Sequence, residues 1–212
     1  MSHVMEIADT HVAARLAQAR IIALGRFDVA EQVEAAGNAL VRGGLGCLEI
    51  ARATAAQVRA ARRVEGLLVG AGDVQSPQQA EEVLRAGAHF ASAPVTNMEV
   101  VHACRELELP FFPGAATPSE IERLVMVGVR VVRVFPAEPL GGAAFLHAVA
   151  TIYPDVAFIP AGGIGPESLR HYLSNPSVPA VASSGLVRDE LLRARNFARI
   201  EWLARDVRRV LG

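Results

Sequence analysis

Residues 46–76, GCLEIARATAAQVRAARRVEGLLVGAGDVQS, read as strand, helix, strand. GCLEIA (46–51) and GLLVGA (66–71) are short aliphatic runs suited to burial on both faces, as parallel strands require. Between them Thr54 and Gln57 stand at capping-box spacing, which opens a helix. The same unit recurs in both directions along the chain. Strands are expected at RIIALGR (20–26), HFASA (89–93), PFFPG (110–114), RVVRVF (130–135), VAFIPA (156–161) and PAVASS (179–184), giving eight with the two above. Further helix starts are marked by Asp28 with Glu31, Ser76 with Gln79, Thr96 with Glu99 and Thr117 with Glu120, and by Pro77 and Pro166 as first helical residues. Gly43, Gly44, Gly87 and Gly128 punctuate the ends of helices. At the end of the chain, NFARIEWLARDVRRVLG puts Phe197, Ile200, Leu203, Val207 and Val210 on one stripe of a closing amphipathic helix.

Eight βα units in 212 residues predict an α/β protein, a single (β/α)8 TIM barrel over 1–212 with an additional N-terminal helix. An open doubly wound sheet is the alternative, but strand one and its turn lack GxGxxG. The composition suits one globular core: 51% hydrophobic and 20% charged. A formal net charge of −1, from 22 acidic and 21 basic residues, offers no field for nucleic acid or anionic lipid. Cys47 and Cys104 show neither CxxC nor Cys/His spacing, and the histidines show no HxH or HExxH. No run reaches the ~18 apolar residues of a membrane span, and the N-terminus lacks a signal-peptide core, so a cytoplasmic location is expected. All 21 basic residues are arginine; the chain contains no lysine. Arginine stays protonated and cannot supply the free amine that attacks a carbonyl.

Working residues of such barrels sit at the C-terminal ends of the strands. AGGIGPESL after strand seven and ASSG after strand eight place Gly162, Gly163, Ser183, Ser184 and Gly185 where a phosphate or other small anion would be held, with donors at the start of a short helix. The competing reading is two ordinary glycine turns. Glu49, a carboxylate inside an apolar strand, must be paired, hydrogen-bonded or protonated; it is a candidate general acid or base, or half of a structural ion pair. Asp73, just past strand three, could share a site with Glu49 or help chelate a hard cation, or be a turn residue only. Arg133 shares strand parity with Val131 and Phe135, so it either neutralises an internal carboxylate or grips an anionic ligand. Glu138 in the following loop could pair with it or with a substrate hydroxyl.

In order and spacing, GGLGCLEIARAT, VGAGDV, SAP, FFPGAATPSE, RVFPAE, PAGGIGPESL and SSGLV resemble the 2-dehydro-3-deoxyphosphogluconate (KDPG) and 4-hydroxy-2-oxoglutarate (KHG) aldolase family, from about residue 15 onward. The resemblance implies a homotrimeric (β/α)8 lyase that cleaves acidic or phosphorylated 2-oxo-4-hydroxy acids to pyruvate and an aldehyde, without metal, through a strand-six lysine imine. That lysine position is Arg133 here. The arginine that family places four residues after its catalytic glutamate is Ala53, with Arg52 one residue earlier; its threonine is Asp73, and the glycine after the strand-four proline is Val95. Glu49, Pro94, FPAE, Gly162, Gly163 and Ser184 match. The expected protein is therefore a lyase-like member binding a small phosphorylated or carboxylated 2-oxo acid or sugar phosphate without Schiff-base chemistry. Glu49, Arg133 and Asp73 are its candidate catalytic residues; Arg52, Pro94, Glu138, Gly162, Gly163, Ser183 and Ser184 are its candidate binding residues. No cofactor is expected. The alternatives are a catalytically inactive, trimeric anion-binding pseudoenzyme and a metal-assisted lyase or isomerase using a divalent cation at Glu49 and Asp73.

Overall fold

A computed structural model describes residues 10–211. Its elements follow the repeated unit: α1 (Thr10–Ala19), β1 (Ile21–Gly25), α2 (Ala30–Arg42), β2 (Cys47–Ile50), α3 (Ala55–Arg62), β3 (Leu68–Ala71), α4 (Pro77–Arg85), β4 (Phe90–Ser92), α5 (Met98–Glu106), β5 (Phe111–Phe112), β6 (Gly114–Ala115), α6 (Pro118–Met126), β7 (Val131–Val134), α7 (Gly142–Ile152), β8 (Ala157–Pro160), α8 (Leu169–Leu173), β9 (Val181–Ser183), α9 (Asp189–Arg193) and α10 (Phe197–Leu211). All strand pairs are parallel. Six strands run in the order β5-β4-β3-β2-β1-β9 and three in the order β6-β7-β8, and one bridge, Ala161 to Ala182, links the exit of β8 to β9.

The fifth expected strand is thus two short ones, divided at Pro113. Proline has no N–H to give a ladder, although its carbonyl still accepts from Arg133 N at 2.9 Å. Beside it, Gly114 lies so close to the exit of β4 that a Cβ would stand 2.1 Å from the carbonyl of Pro94. Thr96 Oγ1 donates to the Gly114 carbonyl at 2.7 Å.

Strand alternation sorts side chains into two cores. One parity faces the helices: Ile21, Leu48, Ile50, Val69, Val132, Val134 and Phe158 pack there with the inner faces of α2 to α7. The other parity forms a second cluster on the opposite face of the sheets with Ile22, Cys47, Leu68, Phe90, Phe112, Val131 and Ile159, and α1 adds Val12, Ala13 and Leu16 to that same cluster. The additional helix therefore seals the end from which the strands start. Opposite that end, the inward positions cease to be apolar: Glu49, Ser92 and Arg133 are buried there.

Helix starts follow the sequence at three sites. Thr54 and Thr117 form reciprocal capping boxes with Gln57 and Glu120, and Ser76 caps α4 with Pro77 as its first residue. Three expected starts are corrected. Asn97, not Thr96, caps α5, because the Thr96 hydroxyl is spent on Gly114. Val29 occupies the cap of α2 without a side-chain bond, and the Asp28 N–H donates to Gln32 Oε1 instead. Pro166 does not open a helix directly, since α8 begins at Leu169. In α10, Ile200 and Val207 are buried as expected, joined by Ala204 and Leu211. Among the described residues no helix is long and apolar enough to cross a membrane.

Candidate functional site

Glu49 sits on the inner face of β2, two residues beyond Cys47 and in register with Leu24 on β1 and Gly70 on β3. Its carboxylate is held on both oxygens. Arg133 Nη2 donates to Oε2 at 2.6 Å and Ser92 Oγ donates to Oε1 at 2.7 Å. Both members of the ion pair are 4% exposed. Two charges so removed from water need each other, since desolvation costs several kcal/mol per ion and only close pairing with further hydrogen bonds offsets it. Arg133 Nε, equally buried, has no hydrogen-bond partner among the described residues. The backbone makes room for this cluster: a Cβ on Gly70 would strike the Phe90 ring at 2.1 Å, and one on Gly72 would lie 2.8 Å from Glu49 Oε1. Below the carboxylate, Cys47 remains a thiol, because burial and then the neighbouring Glu49 charge push its pKa up.

The cluster forms the floor of a cavity of about 530 Å³ at the C-terminal ends of the strands, a volume typical of small-molecule sites. Glu49, Asp73, Pro94, Arg133, Gly162, Gly163, Ser183 and Ser184 all line it. Asp73 follows β3 in a left-handed conformation, φ 59°, uncommon outside glycine but tolerated by aspartate. Gly162 and Gly163 also have positive φ, 98° and 82°; a Cβ on Gly163 would press on Glu138 at 2.8 Å.

Two expected binding residues stand apart from this cavity. Arg52, at φ 53°, is exposed and lines a neighbouring cleft with Thr54 and Gln79; its one-residue offset along the chain carries it out of the main site. Glu138 is absent from the lining too, because Tyr172 Oη donates to its Oε1 at 2.8 Å. Ser183 lines the cavity, yet its hydroxyl donates to the Ile164 carbonyl at 2.8 Å and accepts from Gly185 N at 3.2 Å, so it shapes the loop. No helix opens directly at Ser184, contrary to expectation: α9 starts at Asp189 and has five residues. The structure adds three residues that sequence reasoning did not nominate. Ser92 shares the inward parity of Phe90, a signal visible in the strand pattern. Arg26, the last residue of RIIALGR, reaches the cavity from the loop after β1, and Asp189 from the start of α9. Among the described residues no three His, Cys, Asp or Glu side chains gather as a metal site, and Glu49 already has both oxygens engaged.

Chemically, the floor can present fixed positive charge beside a carboxylate and a hydroxyl, but no amine. The model of the family described as "KDPG and KHG aldolase" matches residues 12–203. The 2-dehydro-3-deoxy-phosphogluconate aldolase of Treponema pallidum is 36% identical over 201 residues, covering 93% of this chain and 96% of that protein. Among solved structures, the KDPG aldolase of Legionella pneumophila, with pyruvate captured as a covalent carbinolamine, superposes with a TM-score of 0.86 at 31% identity, covering 93% and 98% of the two chains. The 2-keto-3-deoxy-6-phosphogluconate aldolase of Zymomonas mobilis with 3-phosphoglycerate gives 0.85 at 26%, covering 93% and 94%.

Proposed function

The chain belongs to the KDPG and KHG aldolase family, and from that premise we propose that it binds a small phosphorylated or carboxylated 2-oxo acid or sugar phosphate without forming an imine. The observation that carries this reading is the 2.6 Å Arg133–Glu49 pair on the cavity floor of a chain with no lysine. A guanidinium can stabilise a developing enolate electrostatically but cannot act as a covalent electron sink. Glu49 is the proton-transferring group of this reading, Arg133 the source of positive charge, and the glycine loops at 162–163 and 184–185 the seat of the anionic end. Pro94 is a wall of that pocket. The same reading takes the two sheets as one closed (β/α)8 barrel, supported by their meeting at Pro113 and through the Ala161 to Ala182 bridge, and takes the assembly as a homotrimer in the cytoplasm.

Borohydride reduction of the protein with pyruvate, read by intact mass and peptide mapping, tests the central point. No adduct is expected on any internal residue, and one at an internal residue overturns the reading. Turnover is tested separately with a panel of 2-oxo acids and sugar phosphates. Binding without turnover is the outcome of a second reading, an inactive anion-binding member, which one observation favours: Arg133 and Ser92 leave neither oxygen of Glu49 free of a partner. A metal-assisted reaction at Glu49 and Asp73 finds less support, since these two carboxylates gain no third ligand of their kind among the described residues.

A further inference from the structure

Five charged residues line the cavity: Arg26, Glu49, Asp73, Arg133 and Asp189. Their distribution is uneven. Glu49 and Arg133 neutralise each other at 2.6 Å, and Asp189 lies 3.7 Å from Arg193 at the rim. Arg26 and Asp73 make no ion pair or side-chain hydrogen bond with the described residues. The strand order separates these two free charges. Arg26 follows β1, whose neighbour β9 leads into Ser184 and Gly185, whereas Asp73 follows β3, next to β4 and Pro94. Two strand spacings amount to about 10 Å across the mouth. One side of the cavity thus joins a free guanidinium to glycine-rich backbone. On the other side the charge that lines the cavity is a carboxylate; Arg52 lines only the adjoining cleft, which Asp73 and Pro94 also border, and makes no ion pair with Asp73 among the described residues.

Resting on the reading that the cavity holds a small anion non-covalently, we infer that its Asp73 side takes a hydroxyl-bearing end and rejects a carboxylate, so that the ligand is a phosphorylated polyhydroxy compound rather than a phosphorylated 2-oxo acid. An ionised aspartate only accepts hydrogen bonds. Vicinal hydroxyls supply donors for both of its oxygens, while a ligand carboxylate supplies none and adds a like charge in a partly dehydrated pocket. At the opposite side the phosphate meets Arg26 and the positive-φ glycines. Between them Arg133, already neutralised by Glu49, adds no net charge to the floor.

A matched pair of ligands tests this on the full-length protein. Xylitol 5-phosphate and xylonate 5-phosphate share carbon count and phosphate and differ at the far end, CH2OH against COO−. By isothermal titration the wild type is expected to bind the polyol at least about tenfold more tightly. Asp73→Asn, a residue that also tolerates a left-handed backbone, should bring the two within about threefold, mainly by improving the acid. Equal binding or preference for the acid by the wild type, or an equal change of both ligands in Asp73→Asn, overturns the inference while leaving non-covalent anion binding intact. Binding of neither ligand at millimolar concentration overturns that underlying reading as well.

Discussion

Substituting Glu49 by glutamine removes the charge and one of the two acceptor oxygens while conserving volume. The amide oxygen can accept from Ser92 or from Arg133 but not hold both bonds, so the loss reports the charge pairing together with one broken hydrogen bond. With both partners 4% exposed and 2.6 Å apart, Arg133 is left as an uncompensated buried cation, a loss of about 3–5 kcal/mol. At ~2–4 °C per kcal/mol for a chain of this size, the melting temperature should drop by roughly 6–20 °C. Arg133→Met leaves the opposite charge, and the consequence differs in kind. A stranded carboxylate can take up a proton, whereas a guanidinium cannot shed one. The deficit of Arg133→Met should therefore shrink as the pH falls from 8 to 5, while that of Glu49→Gln stays constant. The double variant Glu49→Leu with Arg133→Met should recover most of the loss, because a buried pair replaced by apolar groups is often neutral. Urea unfolding followed by circular dichroism at pH 8 and pH 5 measures all four proteins. A double variant no more stable than the weaker of the two single variants, or a Glu49→Gln cost below about 1 kcal/mol, would refute the coupling.

Two other consequences concern the frame around the site. Gly114→Ala would set a Cβ 2.1 Å from the Pro94 carbonyl, where only backbone can yield; a loss above about 4 kcal/mol or failure to fold is expected, checked by soluble yield and thermal melting, and a shift under 1 kcal/mol would show that the two loops part easily. Glu120 is held below the usual glutamate range chiefly by the Ala116 N–H and then by Thr117. Its contribution is accordingly present above the unfolded glutamate pKa, about 4.3, and is lost as the pH falls through the depressed folded value. The stability gap between wild type and Glu120→Gln should be open at pH 6 and close in acid below that range; a gap that widens in acid contradicts the assignment.

What the sequence discloses here depends on how local the cause is. Aliphatic runs reveal the strands because burial on both faces is a property of each run. Thr54 with Gln57 and Thr117 with Glu120 reveal helix starts because the bonds close within four residues. Thr96 misleads for a non-local reason: its hydroxyl goes to Gly114, 18 residues away. The division of the fifth strand is foreshadowed by Pro113 but completed by the approach of Pro94, which no local pattern encodes. The same distinction holds in the site. Glu49 and Arg133 stand out as charges in apolar strands, and parity alone turns them inward. Glu138 looks equally promising beside FPAE, yet Tyr172, 34 residues later, claims it. Ser92 escapes notice because a serine in a strand is ordinary until a carboxylate is found opposite it.

Helix α1 gives this architecture a consequence of its own. It packs Val12, Ala13 and Leu16 against the interior cluster at the end from which the strands start, leaving the cavity at the opposite end. Among the described residues, Arg26, Asp73 and the paired glycines line that cavity. A ligand held in the cavity would pass these charges on leaving, so substitutions there should alter dissociation rates even where the floor is untouched.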